Sequence, residues 1–498
     1  MKVCVVGLDG ATWDLLDPWL DELPTIRRVA GVTRSTLDSC IPPISVPAWK
    51  VYTTGMDPGD LGVFTFVEPD FEDHELRTVS SETFTHRELW DYLGAEGYQS
   101  AAINVPSTYP PRDIPGWMIS GPFSNADEYA RPQWLQDELD DAGYTILPDY
   151  YLSRDPADLS AGIESVRGKF DAALRLAPEA DFIHLTTYLT DTVQHTEWDS
   201  PASKAFWIDV DRELGRFLDD LGEEWNVILM SDHGFGKTKG VFYLNTWLEE
   251  RGYMSFDRSG IDVGDVAGLL GLDYASTRSL LQKLRLMGFL QSTLPSSLLV
   301  RIARQLPGNR KLEGIQDKLD WDSKAIALAP LIYTQTPEIA AAIREELLEL
   351  EDRNGEPVVE HVYFGDELYP DCSVRTPDLV IDHTDYVISD VVTEGTLLSY
   401  DPDEWSETKI AHHRRRGILA AAGPDVRQID DVEASLVDLT PTILDGFGLD
   451  VPEAMRGNSL GLLGGEDRRS PIPVERGDER VVGHDADVEQ KLKDLGYL

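Results

Sequence analysis

The apolar run Trp225-Asn226-Val227-Ile228-Leu229-Met230 stops abruptly at Ser231-Asp232-His233-Gly234. Its length and β-branched content are those of a buried parallel strand that delivers polar side chains at its C-terminal end, where open α/β sheets bind ligands. Asp232 and His233 are neighbours, so a regular strand sends them to opposite faces; both reach one site only where the backbone turns, and Gly234 permits such a turn. The chain from Val3 to Leu8 repeats the pattern and closes on Asp9-Gly10.

Strand signals recur over 99–105, 117–121 and 181–188, with helical patterns between them. These cover 13–30, interrupted by Pro18 and Pro24, then 88–93, 155–177 and 202–222. In the last, Phe206, Val210, Leu214, Phe217 and Leu221 recur every three or four residues, the stripe of an amphipathic helix. This alternation predicts an α/β fold, a doubly wound and mostly parallel sheet flanked by helices. Residues 1–240 read as the first part of the catalytic core. Residues 241–375 read as an inserted, largely helical cap, with helices over 266–294, 297–305 and 337–350. The core resumes over 376–464, with strands at 378–381 and 417–422 and a helix over 433–446. A mobile polar tail with a short final helix at 488–495 occupies 465–498.

The 89 acidic against 44 basic residues give a net charge of -45, which repels phosphate backbones and anionic membrane surfaces. A nucleic acid polymer and a membrane are thereby excluded as expected partners. Because the acids are spread along the chain, they read as a halophilic surface whose self-repulsion salt relieves. Cys4, Cys40 and Cys372 lie too far apart for a metal or disulfide framework. No uncharged apolar run reaches the roughly 18 residues of a membrane span, and no secretory leader is evident, so a cytoplasmic protein is expected.

Pro42, Pro43 and Pro47 fix the backbone on both sides of Ser45, which is placed to cap a helix ending near Thr54-Gly55, beside N–H groups that suit an anion. Asp191 and His195 are four apart and share a helix face. The candidate ligands are therefore Asp9, Ser45, Asp191, His195, Asp232, His233 and His413. Mixed carboxylate and imidazole donors suit Zn²⁺, with Mn²⁺ as the alternative, and seven donors divide naturally between two ions. Two ions about 3.5–4 Å apart clamp an in-line phosphoryl transfer, with Ser45 as the nucleophile held ionised by metal.

In this order, the motifs Val6-Gly7-Leu8-Asp9-Gly10, Pro42-Pro43-Ile44-Ser45-Val46-Pro47-Ala48-Trp49, Asn104-Val105-Pro106, Asp191-Thr192-Val193-Gln194-His195, Ser231-Asp232-His233-Gly234-Phe235 and His413-Arg414 with Gly417 resemble the alkaline phosphatase superfamily. They come nearest to the prokaryotic branch of its type I phosphodiesterase/nucleotide pyrophosphatase family. The resemblance implies an alkaline phosphatase-like fold and hydrolysis of a small-molecule phosphate ester through a phosphoseryl intermediate. It also implies that Asp191, His195 and His413 hold one ion, and that Asp9, Asp232, His233 and the Ser45 hydroxyl hold the other. His412 is assigned to a neighbouring role. Ala48 stands where animal nucleotide pyrophosphatases commonly carry asparagine. Trp49 stands where the sulfatase signature requires arginine, which ranks a sulfatase second. A phosphomonoesterase or phosphomutase, and a metal-binding protein without catalysis, are the remaining readings.

The acidic surface generates a first prediction: the melting temperature should climb steadily from dilute buffer to molar KCl, where the Debye length shrinks to about 3 Å. A melting temperature indifferent to KCl would remove the halophilic reading.

Overall fold

The computed structural model describes residues 1–124, 127–148, 150–153, 158–256, 319–382, 385–393, 395–402, 409–429 and 433–482. The expected helices at 266–294, 297–305 and 488–495 lie outside these residues.

A nine-stranded sheet runs in the order Ala434–Ser435, Thr33–Asp38, Arg416–Ala422, Trp225–Met230, Lys2–Leu8, Phe182–Thr187, Ser100–Val105, Gly116–Ser120, Ala130–Arg131. From Trp225–Met230 to Gly116–Ser120 all neighbours are parallel. Arg416–Ala422 runs antiparallel to both of its neighbours, and Ala130–Arg131 closes the far edge antiparallel. Every residue of Ser100–Val105, Phe182–Thr187 and Trp225–Met230 is buried, which is why these strands read as continuous runs rather than alternating ones.

Helices Leu159–Leu176 and Pro201–Leu221 pack on each other, with Phe170 and Phe217 stacked at 4.9 Å between ring centroids. A second group comprises Ser45–Thr54, Leu89–Ala95 and Leu439–Gly446. Lys2–Leu8 lies between two strands supplied by later parts of the chain, in a register that sets Leu8 beside Thr187 and Gly7 beside Met230. The three strands therefore finish level, and the residues that leave their C-terminal ends share one edge of the sheet. Among the described residues no helix is long and apolar enough to cross a membrane.

Three elements depart from the sequence reading. Thr33–Asp38 is a central-sheet strand despite its polar sequence, because only part of it is buried. The described part of the insert carries a sheet as well as helices: Ala325–Leu328, Leu331–Thr334, Leu379–Asp382 and His361–Phe364 form an antiparallel sheet, with helix Pro337–Leu348 where 337–350 was expected. Ala325–Leu328, Leu331–Thr334 and His361–Phe364 span four residues each, too few to give a periodic signal. Leu379–Asp382, expected to return to the core, thus belongs to this sheet. Tyr386–Ser389 likewise pairs with Gly240–Tyr243, so the chain rejoins the central sheet only at Arg416–Ala422. The polar stretch expected to be mobile is instead a strap up to residue 482: Arg87 N–H donates to the Val474 carbonyl, Arg476 N–H to that of Thr85, and Val481 N–H to that of Glu82.

A buried ion pair locks helix Ser45–Thr54 in place. Lys50 Nζ lies 2.7 Å from Glu88 Oε1, Thr53 Oγ1 donates to the same oxygen, and Arg112 Nη2 reaches Glu88 Oε2 at 3.0 Å. Burial by itself raises the Glu88 pKa, but the Lys50 ammonium and Arg112 guanidinium outweigh it and bring it down to about 2 from an ordinary 4.5. A depressed carboxylate stabilises the fold above its unfolded pKa and stops doing so as pH falls through the folded one. Acid titration from pH 4.5 to 2 should therefore erode stability by a component that Glu88→Gln lacks. At pH 7 Lys50→Met, which strands a buried carboxylate, should cost about 3 kcal/mol in urea unfolding.

Candidate active site

The level strand ends bring the sequence candidates to one pocket. Asp9 directly follows Lys2–Leu8, and Asp232 follows Trp225–Met230 by one intervening residue. Asp191 sits in the first turn of helix Leu189–Glu197, with His195 one turn on, so His195 Nε2 lies 3.5 Å from Asp191 Oδ1. Strand Ala411–Arg414 pairs antiparallel with Gly234–Lys237, setting His413 opposite Phe235, and His413 Nε2 reaches Asp191 Oδ1 at 3.2 Å. Ser45 Oγ lies 3.2 Å from His233 Nε2, which is 3.3 Å from Asp232 Oδ2 and 3.7 Å from Asp9 Oδ1. All seven predicted side chains thus meet, and all are buried.

The hydrogen bonds of the rings decide what this pocket can hold. Nδ1 of His195, His233 and His413 lies 2.9, 3.1 and 2.9 Å from the carbonyl oxygens of Ala411, Gly234 and Pro43 respectively. A carbonyl only accepts, so each Nδ1 carries the proton and each Nε2 presents a lone pair to the pocket. Two of these lone pairs, on His195 and His413, face each other at 3.2 Å. Asp9 Oδ1 and Asp232 Oδ2 are buried and receive no hydrogen bond. Acceptors crowd together with too few donors, an arrangement that fits a cation, and the carbonyl-anchored Nδ1–H is the usual support of a metal-ligating imidazole. Two clusters, Asp9/Asp232/His233 and Asp191/His233/His413, bring their ligand atoms within 4.8 Å of one another. His195 joins the second through its contacts with Asp191 and His413.

Burial and mutual charge set the ionisation of these groups. Burial pushes the Asp9 carboxyl well above the ordinary range, and the charges of Asp232 and Asp191 push the same way. Burial also raises Asp232, against the opposing pull of His233. For Asp191 burial acts upward too, but the facing imidazoles of His195 and His413 prevail and hold it low. Burial brings His233 down to about 4 and His195 well below its usual value, so both rings are neutral near pH 7.

Two local expectations need correcting. Ser45 is the first residue of its helix, with Ile44 at the cap position, because its hydroxyl is turned to His233 rather than back to the helix N–H groups. Gly234 is needed for close approach, not for a turn: a Cβ there would come 1.9 Å from the Arg416 carbonyl oxygen. The turn falls to Gly10, at φ +69°, where a Cβ would also strike the Phe235 ring.

The sequence reading missed the groups that fix the Asp9 turn. Thr190 Oγ1 donates to the Asp9 carbonyl, Gln194 Nε2 to that of Gly10 and Ser231 Oγ to that of Ala11, while Trp49 Nε1 donates to Asp9 Oδ2 at 2.9 Å. Each lies inside or beside a motif already singled out, but nothing in its spacing tells what it touches. His412 accepts the His413 N–H on Nδ1, and its ring lies edge-on to His195. His184 is bonded between Tyr52 and Thr186, His86 contacts Glu475, His74 stacks on Trp321 and His361 stacks on Tyr363, so these four stay out of the pocket. His383 and His484 lie outside the described residues.

A family model described as type I phosphodiesterase/nucleotide pyrophosphatase matches residues 3–287, a stretch that contains six of the seven pocket residues. The chain belongs to that family. It is thereby a member of the alkaline phosphatase superfamily and stands among phosphoric ester hydrolases. No curated protein sequence matches it significantly.

Solved structures with the same fold include phosphonoacetate hydrolase from Sinorhizobium meliloti 1021 with phosphonoformate bound, with a TM-score of 0.53 and 14% identity over 88% of this chain and 94% of that one. Murine ectonucleotide pyrophosphatase/phosphodiesterase 5 has a TM-score of 0.53 and 14% identity over 92% and 97% of the two chains. Wild-type alkaline phosphatase PafA has a TM-score of 0.54 and 13% identity over 93% and 99%.

For this phosphodiesterase-family pocket, saturating Zn²⁺ at about 100 times its dissociation constant should stabilise the protein by about 2.7 kcal/mol per site. His413→Ala should retain less Zn²⁺ than the wild type after dialysis, as measured by elemental analysis, with a correspondingly smaller thermal shift. Full metal content in a folded His413→Ala would remove His413 from the ligand set.

Proposed function

We propose that the protein is a two-metal hydrolase of small-molecule phosphate esters, with diesters preferred, acting through a phosphoseryl intermediate on Ser45. The observation that carries this reading is the convergence of three Nε2 lone pairs and three buried carboxylates around one serine hydroxyl. Asp191, His195 and His413 hold one ion, and Asp9, Asp232, His233 and the Ser45 hydroxyl hold the other. Zn²⁺ suits this donor set, with Mn²⁺ as the alternative. When bound, the ions supply ionisation of the Ser45 hydroxyl and neutralisation of charge on the phosphorus and leaving oxygens.

Ser45 at the start of its helix gives its proton to solvent and attacks phosphorus. The Ser45 Oγ–P bond forms as the P–O bond to the alcohol breaks, and the electron pair leaves on the alcohol oxygen. Water then cleaves the phosphoseryl ester, restores the hydroxyl and releases a phosphate monoester. The buried carbonyl-anchored rings of His195, His233 and His413 hold their nitrogens in place throughout, so little reorganisation accompanies charge development.

The diester preference rests on the family to which the chain belongs. Trp49, standing where a sulfatase carries arginine and bonded to Asp9, argues against sulfate. We assign the central-sheet portions of the chain to catalysis and the insert from Gly240 to about residue 400 to substrate selection. Support for the second assignment is that Tyr369, from the insert, donates a hydrogen bond to the Ile41 carbonyl in the loop that leads to Ser45.

Ser45→Ala should abolish turnover of bis-p-nitrophenyl phosphate with metal content nearly intact, and an unchanged rate refutes the nucleophile. In parallel, p-nitrophenyl phosphate and p-nitrophenyl sulfate should react more slowly than the diester. Faster hydrolysis of either overturns the diester assignment in favour of a monoesterase or a sulfatase.

A further inference from the structure

The two oxygens of Asp9 stand in unlike settings. Oδ2 accepts the Trp49 indole N–H at 2.9 Å, while Oδ1 receives no hydrogen bond and faces His233 Nε2 at 3.7 Å. Asp232 repeats the division: the Gly10 main-chain N–H donates to Oδ1 at 3.2 Å, and Oδ2, with no hydrogen bond, lies 3.3 Å from His233 Nε2. In each acid one oxygen is held by a donor of the protein, and the other meets only the neighbouring acid and the lone pair of His233.

Trp49 is held where it can do this. It is fully buried, and its ring lies edge-on to those of His184 and Tyr52, with centroids 5.4 and 6.1 Å away. His184 is itself fixed by the Tyr52 hydroxyl at 3.0 Å and Thr186 Oγ1 at 2.9 Å. The far edge of the indole covers Gly7, where a Cβ would come within 2.3 Å of Trp49 Cη2, so the strand leading to Asp9 makes room for the ring.

We propose that Trp49 is a positioning residue that restricts Asp9 to one free oxygen, so that the cation held by Asp9, Asp232 and His233 is completed by Ser45 rather than by a second carboxylate oxygen. This rests on the two-metal reading of the pocket. One oxygen from each acid, one imidazole nitrogen and the serine hydroxyl make four donors, the number Zn²⁺ favours. A chelating Asp9 would add a fifth and compete with the hydroxyl that has to react. Removal of an outer hydrogen bond of this kind typically costs 10–100-fold in metal affinity.

The wild-type protein crystallised with Zn²⁺ should show Asp9 bonded through a single oxygen, with Trp49 Nε1 still on the other; a chelating Asp9 overturns the proposal. Trp49→Phe keeps an aromatic ring and removes the N–H. In competition with a chromophoric chelator its affinity for one ion should fall about 10–100-fold, with the other ion unaffected. The Co²⁺-substituted variant should lose visible absorption as coordination rises above four. Unchanged affinity for both ions in a variant with the wild-type circular dichroism spectrum overturns the role of Trp49 and leaves the two-metal reading standing. A wild-type chain that binds no divalent cation overturns both.

Discussion

Three carboxylates and three imidazole lone pairs are packed into a single buried pocket, and their mutual repulsion is the constraint around which the molecule is arranged. Neighbouring acids in a dry site drive each other toward neutrality, and the upward push on Asp9 from Asp232 and Asp191 expresses that cost directly. Two facing nitrogen lone pairs at 3.2 Å add to it. A chain that assembles such a pocket has to hold it against its own electrostatics, and positive charge brought in from outside would relieve the strain.

The scaffold supplies that resistance through hydrogen bonds to the main chain around the pocket. The carbonyls of Asp9, Gly10 and Ala11 are each held by a side chain from another element, so the turn carrying the first acid cannot relax away from the second. All three ring nitrogens turned away from the pocket end on main-chain carbonyls, which fixes tautomer and orientation together. Beneath Ser45, the Lys50–Glu88 pair ties helix Ser45–Thr54 to the segment that the C-terminal strap also grips, through Arg476 on the Phe84 and His86 carbonyls. Rigidity at the pocket is thus built from hydrogen bonds that hold the main chain and the imidazole rings around it.

One contact between the insert and this scaffold bears directly on the pocket. Tyr369 packs on Phe64 and bonds to the Ile41 carbonyl, two residues before Pro43, whose own carbonyl anchors His413. Tyr369 thereby ties the insert to the loop that leads to Ser45 and carries the carbonyl holding His413.

Much of the architecture was legible in the amino-acid order. Runs such as 225–230, apolar but for Asn226, announce strands covered on both faces, because burial on both sides leaves no regular polar alternation. The acids and imidazoles could be nominated from their place at strand ends and from helical spacing, since both are local properties. Relations between distant segments stayed hidden in the chain order. Thr33–Asp38 is a strand because Arg416–Ala422 pairs with it, and the four-residue strands of the insert exist because they pair with one another. Ser45 turns away from capping because His233, 188 positions later, offers its hydroxyl a partner. Trp49 and Gly7 acquire their meaning only when the indole is laid over the strand that ends in Asp9. Periodicity and the stock of reactive groups are set by sequence alone, because these depend on neighbours along the chain. Which oxygen of a carboxylate is left free is decided by contacts through space, and those exist only after the fold has closed.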